Sequence, residues 1–355
     1  MRIVLSEKRY WFSDGCANEC NAALTDLAVK KTVSIVARTP DLRADTVECV
    51  ITVPTFRRPQ QLLDTLNSLA AQKTRRRFAI IVMENEAEKR EGALTAGPLF
   101  ANGTYNGLVL IAHQRGNCCA YNAGWETALK EFPGFRYLAV IDDDEIALPD
   151  WLEQLCATAE KLQADIVGGP QAPVFSAPQH ARWATHPVFA PPYDETKRVG
   201  ALYSSGNLMI SRQVLEAMPR PFLDLKFNFM GGGDSDFLSR AAQNGFTLAW
   251  SAEAVSQEIV PARRVEPDWI RARALRNGVI STLVEKRKRA DDTLGPAKVF
   301  AKSLALLGLS PIRGLRRLLA TGSLSTAMYP VYVGLGRVLA EFGYANEQYR
   351  EPEKN

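Results

Sequence analysis

From residue 47 the chain alternates short, unbroken apolar runs with longer segments of helical period. "VECVITVPTF" reads as a strand that closes at Pro54, and "PQQLLDTLNSLAAQ" comes next with Leu62, Leu63, Leu66, Leu69 and Ala70 on one face. "RFAIIVMEN" and "GLVLIAH" are two more strands, "NCCAYNAGWETALKEF" is a helix, and "YLAVIDDDE" is a fourth strand. Runs that are apolar at every position, rather than at every second one, suit strands covered on both faces. Strands alternating with helices predict an α/β fold, a mostly parallel sheet with right-handed crossovers.

The rhythm loosens after residue 150. A helix from Trp151 to about Ala164 precedes "DIVGGP", and residues 170–200, with six prolines, read as a loop. "GALYSSGNLMIS" resumes strand character. In "MGGGDSDFLSRAAQNGFTLAW" three glycines lead into a helix whose Leu238, Ala241 and Ala242 share a face. Gly245 stops it, and a strand at 247–250 comes next. Beyond Val265 the chain is helical and basic, with Trp269, Ile270, Leu275, Val279, Ile280 and Leu283 as an apolar stripe. Residues 1–46 show no clear period and are set apart as an N-terminal extension. The expected division is therefore 1–46, a 47–262 domain and a 263–355 helical region. No internal repeat is present.

Composition adds limits. The 355 residues are 46% hydrophobic and 23% charged, enough to bury a sizeable core. "MRIVLSEKRYWF" acquires charge too early for a signal peptide, so a cytoplasmic protein with reduced thiols is expected. Cysteines 16, 20, 49, 118, 119 and 156 repeat no zinc spacing and read as small buried side chains. The net charge of +4 conceals an asymmetry. Residues 262–355 hold 17 Lys and Arg against 9 Asp and Glu, whereas residues 1–261 hold 26 against 30. A basic tail suits diphosphates or anionic lipid, and without interleaved aromatic residues it does not suit nucleic acid. Residues 318–336 carry no charge, but four Ser or Thr, three Gly and one Pro weaken them as a span. They read as an interfacial membrane anchor, with ordinary docking helices as the alternative.

The acids at 142–145 hold the candidate chemistry. Adjacent like charges repel and need a positive partner. Asp142, Asp143, Asp144 and Glu145 fall just past the carboxyl end of an apolar strand, where open α/β sheets bind ligands. A divalent cation is the expected partner. A solvated acidic turn is the plain alternative.

Taken in order, "VITVPTFRRP", "IIVMENE", "YNAGWETAL", "YLAVIDDDE…PDWL", "SSGNLMI" and "GGGDSDFLSRAAQNG" resemble the inverting family 2 glycosyltransferases, above all the non-processive bacterial enzymes that build exopolysaccharides. The resemblance covers about residues 47–262 and implies a GT-A fold. It makes Asp142 and Asp144 the D-x-D pair, with Asp144 on Mg²⁺ or Mn²⁺ and Asp142 on the metal or ribose. Alternate residues of a strand point the same way, so the pair can address one ligand. Asp234 matches the catalytic base, although Gly233 replaces the preceding glutamate. Asp236 is the substitute base, and a helix N-cap is the other role open to Asp234.

The resemblance also places Pro54, Thr55, Arg57, Glu84, Glu86, Asn122 and Asp143 on the nucleotide sugar. Asn207, Arg263 and Arg264 go toward acceptor or diphosphate. Helix capping or loop hydrogen bonding is the alternative for Asn122 and Asn207. Ile259 stands beside Glu258 where members of the family often carry a metal-binding histidine. The Q-x-x-R-W signature of processive synthases is absent, so one sugar per encounter is expected. Together these features imply a peripheral enzyme on the inner face of the cytoplasmic membrane. It would move a sugar, UDP-glucose as the first donor, to a lipid-diphosphate-linked saccharide. A sugar-nucleotide nucleotidyltransferase and a non-catalytic binding or assembly subunit are the alternatives, but "PTFRRPQQ" lacks the glycine a phosphate loop would need.

Overall fold

The computed structural model describes residues 32–344 and residue 350; residues 1–31, with Cys16 and Cys20, lie outside them. The strands that open the main sheet are β1 (Val33–Arg38), β2 (Cys49–Thr55), β3 (Phe78–Glu84), β4 (Gly107–Ala112) and β5 (Tyr137–Ile141). Helices α1 (Pro59–Ala70), α2 (Glu91–Ala101) and α3 (Asn117–Glu131) connect them. After β6 (Glu145–Ala147) come α4 (Trp151–Leu162), β7 (Ile166–Gly168), β8 (Gln171–Phe175), β9 (Lys197–Val199), β10 (Asn207–Ser211) and α5 (Arg212–Ala217). Next are α6 (Gly233–Gln243), β11 (Leu248–Trp250) and β12 (Ser256–Val260). The chain closes with α7 (Pro267–Lys288), α8 (Gly295–Thr321) and α9 (Leu324–Glu341).

Nine strands form one sheet in the order β1, β4, β3, β2, β5, β10, β7, β11, β9. The four apolar runs read from the sequence are its parallel centre: β4 with β3, β3 with β2, and β2 with β5. Side chains alternate across it. Val50 and Val140 enter one core with Trp125, Phe222 and Phe237; Ile51, Val53 and Ile141 enter the other with Leu62, Leu66 and Trp151. Burial on both faces explains why these strands are apolar at nearly every position, Thr52, Thr55 and Glu84 being the exceptions in β2 and β3. Truncating one such residue, Ile51→Ala for example, would cost about 2–5 kcal/mol.

Three features depart from the sequence reading. Val33–Arg38, inside the segment set apart as an extension, pairs antiparallel with β4 as an edge strand, and a register shift between Ile35 and Ala37 breaks the alternation that would reveal it. The proline-rich segment contains β8, which joins β12 and β6 in a separate three-stranded sheet beneath the acid cluster. Pro173 is tolerated there because β8 lies at that sheet's edge. The uncharged stretch 318–336 is not one element. Gly322, at φ +66, ends α8, and residues 324–336 form most of α9.

The three C-terminal helices pack as a bundle. α7 and α9 cross at glycines: a Cβ on Gly278 would stand 2.2 Å from the Val333 carbonyl oxygen, and one on Gly336 would stand 2.0 Å from that of Leu275. The close approach buries Arg337, which donates to Ser281 Oγ at 2.6 Å and Glu285 Oε2 at 2.8 Å. Among the described residues no helix is long and apolar enough to cross a membrane.

Candidate active site

A cleft of about 1850 Å³ opens at the carboxyl ends of β2 and β5 and runs along α7. Its floor comes from the sheet, and helix α7 contributes a wall through Trp269, Arg273 and Arg276. Asp142, Asp143, Asp144 and Asp234 all line it, as do Pro54, Thr55, Arg57, Arg263 and Arg264. The acids that leave β5 therefore share one space with an aspartate contributed ninety residues later.

The carboxylates of the cluster divide among several partners, and Asp143 and Asp144 share Arg58. Asp142 accepts the Tyr121 hydroxyl at 2.6 Å, and Ser205 Oγ donates in turn to Tyr121 at 3.3 Å. Asp143 accepts from Thr55 Oγ1 at 2.8 Å and from Arg58 Nη1 at 3.1 Å. Asp144 accepts from the same Arg58 nitrogen at 2.7 Å and faces Arg264 Nη2 at 3.6 Å. Arg264 also grips Glu258 at 2.6 Å. The fourth acid, Glu145, turns to the Gln171 amide.

Burial raises Asp142, Asp143 and Glu145. Asp142 is pushed up to about 7, first by desolvation and then by the charge of Asp144. Desolvation pushes Asp143 to about 6, with Arg58 working against it. Glu145 rises well above the usual carboxylate range through burial and the charge of Asp142 beside it. Asp142, bonded to the neutral Tyr121 hydroxyl, would favour a cation beside it, whereas Asp144 already has Arg58 and Arg264 at hand. Among the described residues no three His, Cys, Asp or Glu are placed to hold a metal between them. Mg²⁺ seldom uses such a cage; it is bound by one or two carboxylates together with substrate phosphates and water. The oxygens of Asp142 and Asp144 fit that mode.

Asp234 sits in the first turn of α6, half-buried, its Oδ1 accepting from the Ser235 backbone N–H at 2.8 Å. Desolvation raises its pKa, opposed by the Ser235 N–H and by the charge of Arg273. Asp236 takes no part in the cleft. Its side chain is buried, and Oδ2 accepts from both Arg240 and Arg287 at 2.9 Å, which removes it as the substitute base.

Four other expected contacts are redirected. Glu84 is fully buried, and its oxygens accept from the backbone N–H groups of Glu86 and Ala93, so it caps the start of α2. Glu86 pairs with Arg57 Nε at 2.6 Å outside the cleft lining. Asn122 is tied twice to Leu223, through N–H and carbonyl, at 2.9 and 2.8 Å. Asn207 reaches the cleft edge, but its amide accepts from Trp151 Nε1 and donates to the carbonyls of Pro170 and Ala254. For both asparagines the hydrogen-bonding alternative is what the structure has.

Sequence reasoning missed Arg58, Tyr121, Asn85 and Arg273. Arg58 precedes Pro59 and gives no local sign of its partners eighty-five and eighty-six residues on. Asn85, between the two expected glutamates, is the one that lines the cleft, held by the carbonyls of Ala112 and Gln114. Strand alternation held a hint, since residues 84 and 86 share a face that 85 does not.

Known proteins resemble this chain in sequence. The family model for glycosyl transferase family 2 matches residues 50–218. The succinoglycan biosynthesis protein ExoM of Rhizobium meliloti (strain 1021) is 31% identical over 251 residues, which is 66% of this chain and 74% of ExoM. The crystal structure of S. aureus TarS in complex with UDP aligns at a TM-score of 0.47 and 14% identity, covering 86% of this chain and 91% of that one. TarS in complex with UDP-GlcNAc aligns at 0.47 and 15%, covering 86% and 92%.

Proposed function

We propose, on the premise that the chain belongs to glycosyl transferase family 2, that it moves one sugar from a nucleotide donor, UDP-glucose first, with inversion onto a lipid-diphosphate-linked saccharide. The likeness to a succinoglycan biosynthesis protein supports a place in exopolysaccharide assembly. The observation that carries the reading is the meeting of Asp142, Asp144 and Asp234 in one cleft.

In the proposed transfer the bond from the anomeric carbon to the diphosphate oxygen breaks as an acceptor hydroxyl attacks from the opposite face. Asp234 takes the hydroxyl proton, and its raised pKa strengthens it as a base. The bond electrons go to the leaving nucleoside diphosphate, whose growing charge needs fixed positive groups. Arg58, Arg263 and Arg264 line that side of the cleft. Asp142 and Asp144 would hold Mg²⁺ or Mn²⁺, which when bound supplies Lewis-acid neutralisation of the two phosphates. Thr55, Arg57 and Asp143 remain the nucleotide-side groups, with Asn85 added to them. An acceptor attached to lipid puts the enzyme on the inner face of the cytoplasmic membrane.

The test is release of nucleoside diphosphate from a panel of nucleotide sugars, with and without EDTA, for wild type and Asp234→Asn. Release that needs both the divalent ion and Asp234 is expected. Full release by Asp234→Asn would remove the base, and turnover indifferent to EDTA would remove the metal.

A further inference from the structure

Helix α8 turns its small residues inward and its large apolar ones to solvent. Val299, Ser303, Ser310 and Gly314 are buried. Leu304, Ile312, Leu315 and Leu319 are 47%, 55%, 57% and 80% exposed, and their spacing sets them on one face. Leu324, at the start of α9, extends the patch at 68% exposure. A helix of an isolated soluble domain is patterned the other way round, so a contiguous apolar face of this size marks an interaction surface.

Charge selects the occupant. Residues 293–340 contain six Lys or Arg and no Asp or Glu. At 100° per residue, Arg313 and Arg316 run along one flank of the apolar face, in line with Lys302, which is paired with Glu285 of α7 at 2.7 Å. Two copies of the chain paired about a two-fold axis would set that flank against itself, with no acid in the segment to neutralise it. An anionic surface meets the flank and the leucines together.

We propose that the outer face of α8 seats the protein on an anionic lipid surface. The helix lies in the headgroup plane, Leu315 and Leu319 enter the acyl boundary, and Arg313 and Arg316 meet lipid phosphates. Arg317, on the same helix, points instead to the cleft, where its guanidinium stands 5.7 Å from the ring of Tyr329. The docked face thus adjoins the end of the cleft that α7 walls. The inference rests on the reading of a lipid-linked acceptor and assigns the docking to 304–319 rather than 318–336.

The experiment uses the full chain and vesicles of phosphatidylcholine alone or mixed equally with phosphatidylglycerol, with neither donor nor acceptor present. Wild type should sediment with the anionic vesicles and only weakly with the neutral ones. Arg313→Gln with Arg316→Gln should weaken binding about thirtyfold. The triple variant Ile312→Ser, Leu315→Ser, Leu319→Ser should lose it. Both variants should release nucleoside diphosphate from donor as wild type does, so a failure of docking and a failure of the transfer reading appear in separate assays. Vesicle binding that is missing in wild type, or unchanged in the triple variant, overturns the proposal. So does a wild-type dimer that the triple substitution converts to monomer, which would give the face to a second copy.

Discussion

Cys118 stands in the way of any side chain at residue 233: its Sγ lies 2.7 Å from the position a Cβ on Gly233 would take. A glutamate at 233, where the family resemblance would place one, would require the Cys118 thiol on α3 to move aside. Gly233→Ala should cost about 1–3 kcal/mol from overpacking. The cost should shrink when Cys118→Ala is added, which a double-mutant cycle in urea would measure. Equal costs in the two backgrounds would mean that the thiol is not the obstacle.

Asp234→Asn should lower kcat by roughly a hundredfold to ten-thousandfold, the usual range for loss of a general base, while donor affinity by calorimetry stays within a factor of two or so. The pH profile carries the sign. Burial raises this carboxyl, and only its ionised form accepts a proton. Wild-type kcat/KM should therefore fall as pH drops through a value above the ordinary one for an aspartate. A profile for the asparagine variant with the same acid limb would assign that limb to another group.

Arg58 neutralises both Asp143 and Asp144, and its side chain is about one-third exposed. Arg58→Ala should lower stability by about 1–3 kcal/mol, less than for a fully buried pair because water screens part of the loss. Added Mn²⁺ should raise the melting temperature of Arg58→Ala more than that of wild type. An equal rise in both proteins would show that cation and guanidinium do not share these carboxylates.

Asn122→Ala should be felt in folding rather than in binding. The substitution leaves the buried N–H and carbonyl of Leu223 unsatisfied, at about 1–3 kcal/mol. The KM for donor, measured well below the variant's melting temperature, should not move. A large rise in KM with unchanged stability would return Asn122 to the nucleotide.

Legibility in the sequence depended on where signals are local. Strands β2, β3 and β5 announce themselves because burial on both faces makes nearly every residue apolar, and the acids of 142–144 because they break such a run abruptly. Asp234 stood out through its place in the ordered set of motifs, since its glycine-rich approach alone marks only a helix start. Glu84 was not: its carboxylate caps a helix that begins only seven residues later, and nothing in "MENE" tells a cap from a ribose contact. The face of α8 was hidden for a different reason. Leucines at helical spacing look the same whether they turn toward a core or away from it, and the decision lies with Ser303, Ser310 and Gly314, which let α9 come close.

The route of the chain through the cleft has a consequence for how substitutions in it act. Thr55, Asp142 and Asp143 sit on the α/β layer, fixed by strands buried on both sides, whereas the opposite wall is α7, held to α9 where Gly278 and Gly336 let the backbones touch. The two walls answer to separate packing constraints. On the proposed reading, substitutions in the helical bundle would alter the wall facing the donor-side groups without disturbing the strands that hold them.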